Sequence, residues 1–503
     1  MTSLVEKLQS LGIDAASDTA AMSADLFPLE EAPRADALVR PATREDAGRA
    51  VKAAYDAGAP IIARGGGMSY TGGYRPTAAS TLLFDMGALN QVCSIDEANR
   101  IAIVEAGSTW EALSQALEGT GLRAALKGPI SGSHSTVGGA VSQNLPGSMD
   151  GVLGLEIIRA DGTRVWTGSY GADGHTAFYR NYGPDLTGLF LGDAGTLGLK
   201  TQIALRLEPK PEGAAFASFG FGSMGQAASA MLTLAQANLG GRVFALDPLK
   251  NKTATKVGMK EGADTLAAVV KEGGLIKGLK NAAKIAAAGQ GAYDDVPWSM
   301  HLTFEGASQA AANAALEKAK TLLKGAHEIP PSIPTAMYAK SYSIRGFLGL
   351  KGERWVPLHS IFPLSEAARA VAAIEALFEE HKAMLARHEI VHSFMMSANG
   401  PYFLIEPMFY WPDARLPVHE KALDAPRLAK LTDFEDNPSA RAAVLDMRVK
   451  LRDLAFSNGA VACQLGRFYP YRSALTPETR ALFDTLKAAL DPKGLFNPGA
   501  LDT

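Results

Sequence analysis

Apolar residues follow two different spacings along the first part of the chain. In EDAGRAVKAAYDAG they recur every three to four positions, which predicts a helix, whereas the following APIIARGGG is a short apolar run ended by glycines, which predicts a strand. Further strands are predicted for STLLFDM, RIAIVEAG, VLGLEIIRADGTRV and LKTQIALRLEPKP, since each is β-rich and ends in Gly, Asp or Pro turn residues. Residues 33–211 are therefore expected to form an α+β domain.

The composition changes after the proline-bounded segment EPKPEG. Alanine-rich helical stretches follow, interspersed with the predicted strands VPWSMHLTFEG, WVPLHSIFPL, EIVHSFMMSA and PYFLIEPMFYW. We divide the chain into an N-terminal helical segment (1–32), the α+β domain (33–211), a second sheet-containing domain (212–455) and a C-terminal segment (456–503). A chain of 503 residues is long enough for such a multi-domain arrangement.

Charge and cysteine content exclude several classes of protein. Lys and Arg number 49 against 52 Asp and Glu, a net charge of −3, which argues against nucleic-acid binding and favours a small-molecule partner. The two cysteines, Cys93 and Cys463, have no metal-ligand spacing, so neither a disulfide framework nor a zinc cluster is indicated. No basic and apolar leader opens the chain and no stretch is long enough to cross a bilayer, so we expect a cytoplasmic protein.

One segment departs from this neutral balance. Between Lys250 and Lys284 eight lysines face three acidic residues, in a stretch where Ala and Leu recur at helical spacing. A solvated surface helix in an insertion at about 250–290 accounts for this pattern. The alternative is a contact with anionic lipid at the inner face of the membrane, or with a protein partner.

Three glycine-rich loops stand out in the first domain. They are Arg64–Tyr70 (RGGGMSY), Gly128–Ala140 (GPISGSHSTVGGA) and Gly192–Leu199 (GDAGTLGL). Glycines allow backbone N–H groups to converge on an anion such as a diphosphate, but the loops match neither the Walker A motif nor the Rossmann fingerprint. Three such loops in one α+β domain favour a large polar cofactor.

These loops carry a specific resemblance. ARGGGMSYTGG, STVGGAVSQN, DGVLGLEIIRADGT, LTGLFLGDAGTLGLKT and DPKGLFNPG resemble, in order, the FAD-domain motifs of the vanillyl-alcohol oxidase and D-lactate dehydrogenase superfamily, also called the PCMH-type. The resemblance implies a two-subdomain FAD-binding domain, a cap domain with an antiparallel sheet and flanking helices, and a C-terminal segment that returns to the flavin. Substrate is then expected between cap and flavin domain.

The resemblance also implies which residues bind FAD. The first loop would cradle the pyrophosphate, the second would line the flavin, and Leu199 would lie near the adenine ribose. The FAD-binding residues implied are Arg64, Gly65, Gly66, Gly67, Met68, Ser69, Pro129, Thr136, Gly138, Gly139, Gln143, Asn144, Leu199 and Asn497. Relatives that bind flavin covalently through this loop often have histidine where this chain has Met68, so non-covalent FAD is expected unless a distant histidine of the cap domain supplies the link.

Two reactions fit the remaining polar residues. Oxidation of a small 2-hydroxy acid such as D-lactate or glycolate needs an arginine for the carboxylate and a histidine for the hydroxyl proton, for which Arg345 or Arg467 and His359 or His392 are available. Oxidation of a para-alkylphenol or aryl alcohol would instead use Tyr70, Tyr471 and Arg472 to stabilise a phenolate, with Arg472 also offsetting charge at flavin N1.

Other interpretations remain open. The metal motif HGHxGDGN of related dehydrogenases is absent, which leaves His359, His392 and Glu406 as weak candidates for a divalent-metal site. A core position is the common fate of each single histidine. The expected function is an FAD-dependent 2-hydroxy acid dehydrogenase that passes electrons to a quinone, a cytochrome or oxygen. A membrane- or partner-docked electron-transfer subunit is the alternative from a different class.

Overall fold

The computed structural model describes residues 3–17, 33–145, 149–255, 293, 295–342, 347–423 and 425–503. Its helices are α1 (Leu4–Ser10), α2 (Arg44–Ala57), α3 (Trp110–Ala116), α4 (Val137–Gln143), α5 (Leu186–Leu189), α6 (Met224–Gln236), α7 (Pro248–Thr255), α8 (Gln309–Leu322), α9 (Ser332–Ala339), α10 (Ala367–Glu380), α11 (Lys382–Arg387), α12 (Pro417–Ala422), α13 (Ala425–Leu428), α14 (Pro438–Ser457) and α15 (Pro477–Leu490). Its strands are β1 (Asp14–Ala16), β2 (Ala37–Arg40), β3 (Ile61–Arg64), β4 (Leu82–Asp85), β5 (Val92–Asp96), β6 (Ile101–Glu105), β7 (Leu122–Ala124), β8 (Val152–Ile158), β9 (Arg164–Trp166), β10 (Leu199–Pro209), β11 (Gly213–Phe221), β12 (Arg242–Leu246), β13 (Trp298–Gly306), β14 (His327–Ile329), β15 (Arg354–Pro357), β16 (Ser360–Pro363), β17 (Val391–Asn399) and β18 (Tyr402–Trp411).

The chain folds into two compact units. Unit 1 comprises Met1–Lys210, Leu416–Ala422 and Cys463–Thr503, and unit 2 comprises Pro211–Arg415 and Leu423–Ala462. Each segment that the sequence predicts as a strand contains one, and the segment EDAGRAVKAAYDAG falls in α2. Within the described ranges, no helix is long and apolar enough to cross a membrane.

Unit 1 contains a small sheet that leads into the first glycine loop. Its strands lie in the order β1-β2-β4-β3, with β4 parallel to both β2 and β3. The helix α2 connects β2 to β3; it begins at Thr43, whose side chain accepts the N–H of Asp46, and ends at Gly58 in the left-handed conformation with φ 70°. The glycine loop therefore leaves the carboxyl end of the parallel strand β3.

The second sheet of unit 1 leads into the other two glycine loops. It is antiparallel, with strand order β5-β6-β10-β8-β9 and β7 paired to the end of β10. Every residue of β8 is buried, which explains its nearly continuous apolar sequence. Glu156 is the one charged residue of β8. Its buried carboxylate accepts hydrogen bonds from Arg44 (2.8 Å) and Thr201 (2.6 Å).

Unit 2 is built on one antiparallel sheet with two unlike faces. The strand order is β14-β11-β13-β12-β17-β18-β15, with β16 continuing beside β18. Side chains alternate across a strand, so β18 places Phe403, Phe409 and Trp411 on one face and Leu404, Glu406, Met408 and Tyr410 on the other. On the first face Phe409 packs against Phe378 of α10, with ring centroids 5.7 Å apart. We call the face that carries Glu406 the polar face.

A buried histidine lies on the same polar face, over β13. His301 is fully buried and its two ring nitrogens lie 2.8 Å from the hydroxyls of Ser218 and Ser299. Ser299 in turn donates to Asn251 of α7 at 2.7 Å. Burial lowers the pKa of His301 from 6.5 to about 3, so the ring is neutral in the folded protein.

His301 is expected to make unit 2 sensitive to acid. The unfolded chain takes up a proton at His301 near its ordinary pKa of 6.5, whereas the folded chain does so only near 3. The contribution of His301 to the free energy of unfolding is therefore fully present above pH 6.5. It is lost between pH 6.5 and 3, by up to about 1.4 kcal/mol per pH unit. Urea unfolding of wild type and of His301→Asn across this range measures the effect: the variant should lose less stability with falling pH. Equal slopes would contradict the assignment.

Candidate functional site

The first glycine loop presents unused backbone donors. Gly65, Gly66, Gly67 and Met68 follow β3, and their N–H groups donate no hydrogen bond to any residue the structure describes. Gly67 has φ 71°, a conformation that favours glycine, and the carbonyl of Gly67 accepts a hydrogen bond from Tyr74 at 2.9 Å. A run of partly buried, unbonded N–H groups fits the oxygens of a diphosphate.

The second glycine loop lies in direct contact with the first. A Cβ atom added at Gly66 would lie 1.8 Å from the carbonyl oxygen of His134, and one added at Gly65 would lie 2.3 Å from Thr136 Oγ1. Thr136 also begins α4, because its hydroxyl accepts the N–H of Gly139 at 3.1 Å. Glycine is therefore required for the two loops to pack, and together they form one cradle.

The third glycine loop docks on the end of α4. Gly192 and Ala194 donate their N–H groups to the carbonyls of Val141 and Ser142, both at 2.9 Å. A buried ion pair inside the loop, between Asp193 and Lys200 at 2.5 Å, fixes its shape. Neither charged residue was predicted to have a role, although both lie within the segment GDAGTLGLK.

The other predicted FAD residues surround the same three loops. Gly138 packs on Ala106, Asn144 ends α4 with φ 49°, and Leu199 begins β10 and is buried. Pro129 accepts the N–H of Gly132 at 2.9 Å, and Ser69 accepts that of Thr71 at 3.3 Å. Gln143 Oε1 is buried without a hydrogen-bond partner among the described residues. An orphaned acceptor and a row of free donors fit a large polar cofactor.

The C-terminal segment closes this region through Asn497. Its amide nitrogen donates to the carbonyls of Gly73 (2.8 Å) and Ala194 (2.5 Å), and its backbone N–H donates to Ile61 at 2.9 Å. Its side-chain oxygen accepts a hydrogen bond from Arg467 at 2.5 Å. Asn497 therefore connects β3 and the residues just after the first glycine loop to the third glycine loop.

Arg467 has a structural task as well. Its guanidinium donates to the carbonyls of Gly72 and Pro498 as well as to Asn497. Its backbone N–H bonds Thr71 at 2.7 Å. These bonds connect the C-terminal segment to the residues after the glycine loop, and the carboxylate-binding role suggested by the sequence stays a prediction.

Asp491 organises the turn DPKGLFNPG. One carboxylate oxygen accepts hydrogen bonds from Tyr55 Oη and Leu495 N, both at 3.0 Å, and the other accepts from Phe496 N (2.8 Å) and the Lys487 ammonium (2.6 Å). Asp491 is only 2% exposed. Its four partners explain why an aspartate opens this motif.

Replacing Asp491 by alanine is expected to destabilise unit 1 by about 3–5 kcal/mol, because it leaves the buried Lys487 ammonium without its carboxylate and the Tyr55 hydroxyl without its acceptor. Thermal unfolding of the purified variant measures this loss. The matched control is Asp484→Ala, which removes the partner of an exposed arginine, Arg472, and should change the unfolding midpoint little. Similar losses in both variants would contradict the role given to Asp491.

The predicted tyrosine–arginine pair lies near the start of α15. Arg472 forms two hydrogen bonds of 2.6 Å with Asp484, and this ion pair raises the pKa of the guanidinium. Tyr471 packs edge-on against Phe483 at 5.3 Å. Tyr70 is buried directly after the glycine loop. Arg472 is thus paired with a carboxylate, and its role beside flavin N1 stays a prediction.

Unit 2 brings the predicted catalytic residue His359 together with Glu406, which the sequence named only as a weak metal candidate. The register of β15 and β16 against β18 pairs Pro357 with Met408 and Ser360 with Ile405, which sets His359 opposite Glu406. Both side chains are at most 11% exposed, and His359 Nε2 lies 3.6 Å from Glu406 Oε2. The pair lies on the polar face, and the interruption of the predicted single strand WVPLHSIFPL falls at this histidine.

The structure does not bring together the three residues that the sequence left as weak metal candidates, His359, His392 and Glu406. His392 pairs with Phe409 and stacks on Phe378 at 4.2 Å, whereas Glu406 pairs with Met395. Because residues 406 and 409 point to opposite faces of β18, His392 lies on the opposite face from Glu406. Across the part of the chain that the structure describes, no group of three His, Cys, Asp or Glu side chains is placed to hold a metal.

Two predictions lie outside the described residues. Arg345 is one of them. The lysine-rich segment at about 250–290 is the other, apart from the residues of α7, Pro248–Thr255.

Comparison with known proteins identifies the domains. Residues 35–168 match the family of FAD binding domains, and residues 470–501 match the C-terminal domain of FAD linked oxidases. The first match contains two of the glycine loops and the second contains Asp491 and Asn497.

Proteins with similar sequences include FAD-linked oxidoreductases and a glycolate oxidase subunit. The chain is 34% identical over 180 residues to an uncharacterized FAD-linked oxidoreductase of Mycobacterium tuberculosis, covering 34% of this chain and 37% of the relative. It is 33% identical over 185 residues to the glycolate oxidase subunit GlcD of Bacillus subtilis, covering 35% and 38%. The matches thus span less than two-fifths of the length of these relatives.

The fold has close counterparts among solved structures. The 4-ethylphenol oxidase from Gulosibacter chungangensis superposes with a TM-score of 0.74 over 99% of this chain and 96% of that one, at 18% identity. The α+β fold predicted from the sequence, with a PCMH-type FAD domain, is thereby confirmed. The glycine cradle and the two domain matches lead to one conclusion: the chain contains an FAD-binding domain and the C-terminal domain of FAD-linked oxidases, and its cofactor is FAD.

Proposed function

We propose that this protein is an FAD-dependent dehydrogenase that oxidises a small 2-hydroxy acid. The observation that carries the proposal is the buried His359–Glu406 pair on the polar face of unit 2, with 3.6 Å between Nε2 and Oε2. Bound FAD supplies the hydride acceptor at its N5 atom. The similarity to a glycolate oxidase subunit supports the same class of substrate.

His359 acts in this proposal as the proton acceptor. Oxidation of an alcohol carbon removes a hydride from carbon and a proton from the hydroxyl, so a base must take that proton. The His359 imidazole takes this proton, and the carboxylate of Glu406, 3.6 Å from Nε2, stabilises the imidazolium that results. Both side chains are largely shielded from water, which strengthens their electrostatic interaction.

The proposal also includes non-covalent FAD. The residue in the first glycine loop where histidine would form the flavin bond is Met68, and a thioether does not replace imidazole in that bond. Precipitation of the protein with acid should release all flavin into the supernatant. Flavin retained by the pellet would contradict this part.

Electrons would then leave to an external acceptor, for which we propose a quinone, a cytochrome or oxygen. A peripheral membrane contact through the lysine-rich segment is part of the proposal only as a docking surface for that transfer. Salt-sensitive co-sedimentation of the protein with anionic vesicles tests it. Absence of co-sedimentation at low salt would contradict the membrane contact and leave the proposed enzymatic reaction unaffected.

The phenol-oxidising alternative rests on Tyr70, which is buried beside the glycine loop. It is weakened by Arg472, whose guanidinium is bound to Asp484 and is therefore a poor partner for a phenolate. Turnover with an artificial electron acceptor separates the two reactions. We expect turnover with D-lactate, glycolate or D-2-hydroxyglutarate and none with a para-alkylphenol; the reverse result would overturn the proposed function.

A further inference from the structure

A second pair of polar side chains, Lys250 and Tyr410, lies on the same face of the unit 2 sheet as His359 and Glu406. Trp355 is paired with Tyr410 across β15 and β18, and the Lys250 ammonium of α7 lies 5.7 Å from the centre of the Trp355 ring. Tyr410 is only 3% exposed, and although burial raises the pKa of its phenol, the Lys250 ammonium lies close enough to the hydroxyl to act in the opposite direction through a side-chain hydrogen bond. The Tyr410 O–H itself donates to no residue that the structure describes, which leaves a buried donor open to an acceptor.

The chemistry of Lys250 and Tyr410 favours an anionic ligand. Burial raises the pKa of the Tyr410 phenol, with the Lys250 ammonium acting in the opposite direction, so the phenol remains a hydrogen-bond donor. Lys250 makes no ion pair with any described residue. The nearest carboxylate in sequence, Asp247, accepts hydrogen bonds from the Lys250 backbone N–H (2.8 Å), the Ser393 hydroxyl (2.7 Å) and the Phe394 N–H (3.0 Å). The Lys250 charge acts on this carboxyl without an ion-pair contact. An ammonium and a phenol that both donate suit a carboxylate.

The spacing separates this group from the proton acceptor. Glu406 and Tyr410 are four residues apart on one strand, or roughly 13 Å at the backbone. Met408 lies between them on the same face and is fully buried. The hydroxyl and carboxylate of one 2-hydroxy acid unit lie on neighbouring carbons, so the two groups serve different parts of a longer molecule.

We propose that Lys250 and Tyr410 bind a second anionic group of the substrate, at the end remote from the carbon that is oxidised. This inference rests on the proposed function and narrows its substrate class. The preferred substrate is a 2-hydroxy acid with a distal carboxylate, and not one of the size of lactate or glycolate.

The test compares two lysines of the same helix. Lys250→Met should lower kcat/KM for D-2-hydroxyglutarate by roughly tenfold to a hundredfold, the effect of losing one hydrogen bond to a charged group, while leaving kcat/KM for D-lactate unchanged. Tyr410→Phe should act in the same direction without changing side-chain volume. The control Lys252→Met, which removes an exposed lysine of α7, should leave both substrates unchanged.

Several results would overturn the inference. They are an equal loss for both substrates in Lys250→Met, no loss for D-2-hydroxyglutarate, or a wild-type enzyme that oxidises D-lactate alone. If wild type oxidises neither acid, the proposed function fails, and calorimetry with glutarate tests the anion site by itself. Glutarate should then bind wild type and Lys252→Met but not Lys250→Met, and equal binding to all three would remove the site.

Discussion

Replacing Gly66 by alanine is expected to give protein that purifies with little or no flavin. A Cβ atom at this position would lie 1.8 Å from the carbonyl oxygen of His134, so the first glycine loop must move away from the second. Overpacking of this kind costs about 1–3 kcal/mol, which corresponds to roughly a tenfold to hundredfold loss of FAD affinity when the cradle is displaced. Flavin absorbance per mole of purified protein, followed by titration with FAD, measures the loss.

Gly225→Ala is the matched control for this substitution. Gly225 lies in α6 of unit 2, where an added Cβ would meet no atom within 4 Å. That variant should bind FAD like wild type. A Gly66→Ala protein with full flavin content would contradict the packing of the two loops, whereas loss of FAD accompanied by a collapsed unfolding transition would indicate a folding defect.

Replacing His359 by glutamine is expected to lower kcat by about 10²–10⁴-fold with a 2-hydroxy acid, because glutamine keeps the hydrogen-bonding character but cannot accept the proton. FAD content should stay at the wild-type level, since His359 lies in unit 2 and the glycine cradle is formed by unit 1. Rapid anaerobic mixing isolates the step: the rate of flavin reduction by substrate should fall in proportion to kcat.

His392→Gln is the control for this experiment. His392 was an equal candidate in the sequence, but its ring stacks on Phe378 of α10, on the face of the sheet opposite Glu406. Its replacement should leave the rate of flavin reduction nearly unchanged. If the two variants lose activity to the same extent, or if only His392→Gln does, the role assigned to His359 is wrong.

Much of the fold follows from local sequence. Strands such as β8 and β10 are long β-rich runs ended by turn residues, and α2 has both an apolar stripe and recognisable ends at Thr43 and Gly58. The strand β11 was missed because its sequence, GAAFASFGF, consists mainly of small residues with low strand preference. Its nine pairs with β13 supply the stability that its composition does not.

The candidate site was only partly predictable, because its geometry depends on sheet register. The sequence gives both His359 and His392 equal standing, and only the pairing with β18 separates the face of Glu406 from the face of Phe378. Likewise Arg467 and Arg472 stand in one short polar run. Their partners Asn497 and Asp484 lie 30 and 12 residues further on, where no local pattern connects them.

The most direct test of the central claim is anaerobic mixing of the purified protein with D-2-hydroxyglutarate, D-lactate and glycolate while the oxidised flavin absorbance is followed. Bleaching of bound flavin by at least one of these acids, with recovery on addition of an electron acceptor, is the predicted result. A flavin that none of the acids reduces, or a protein that neither contains nor takes up FAD, would contradict the account.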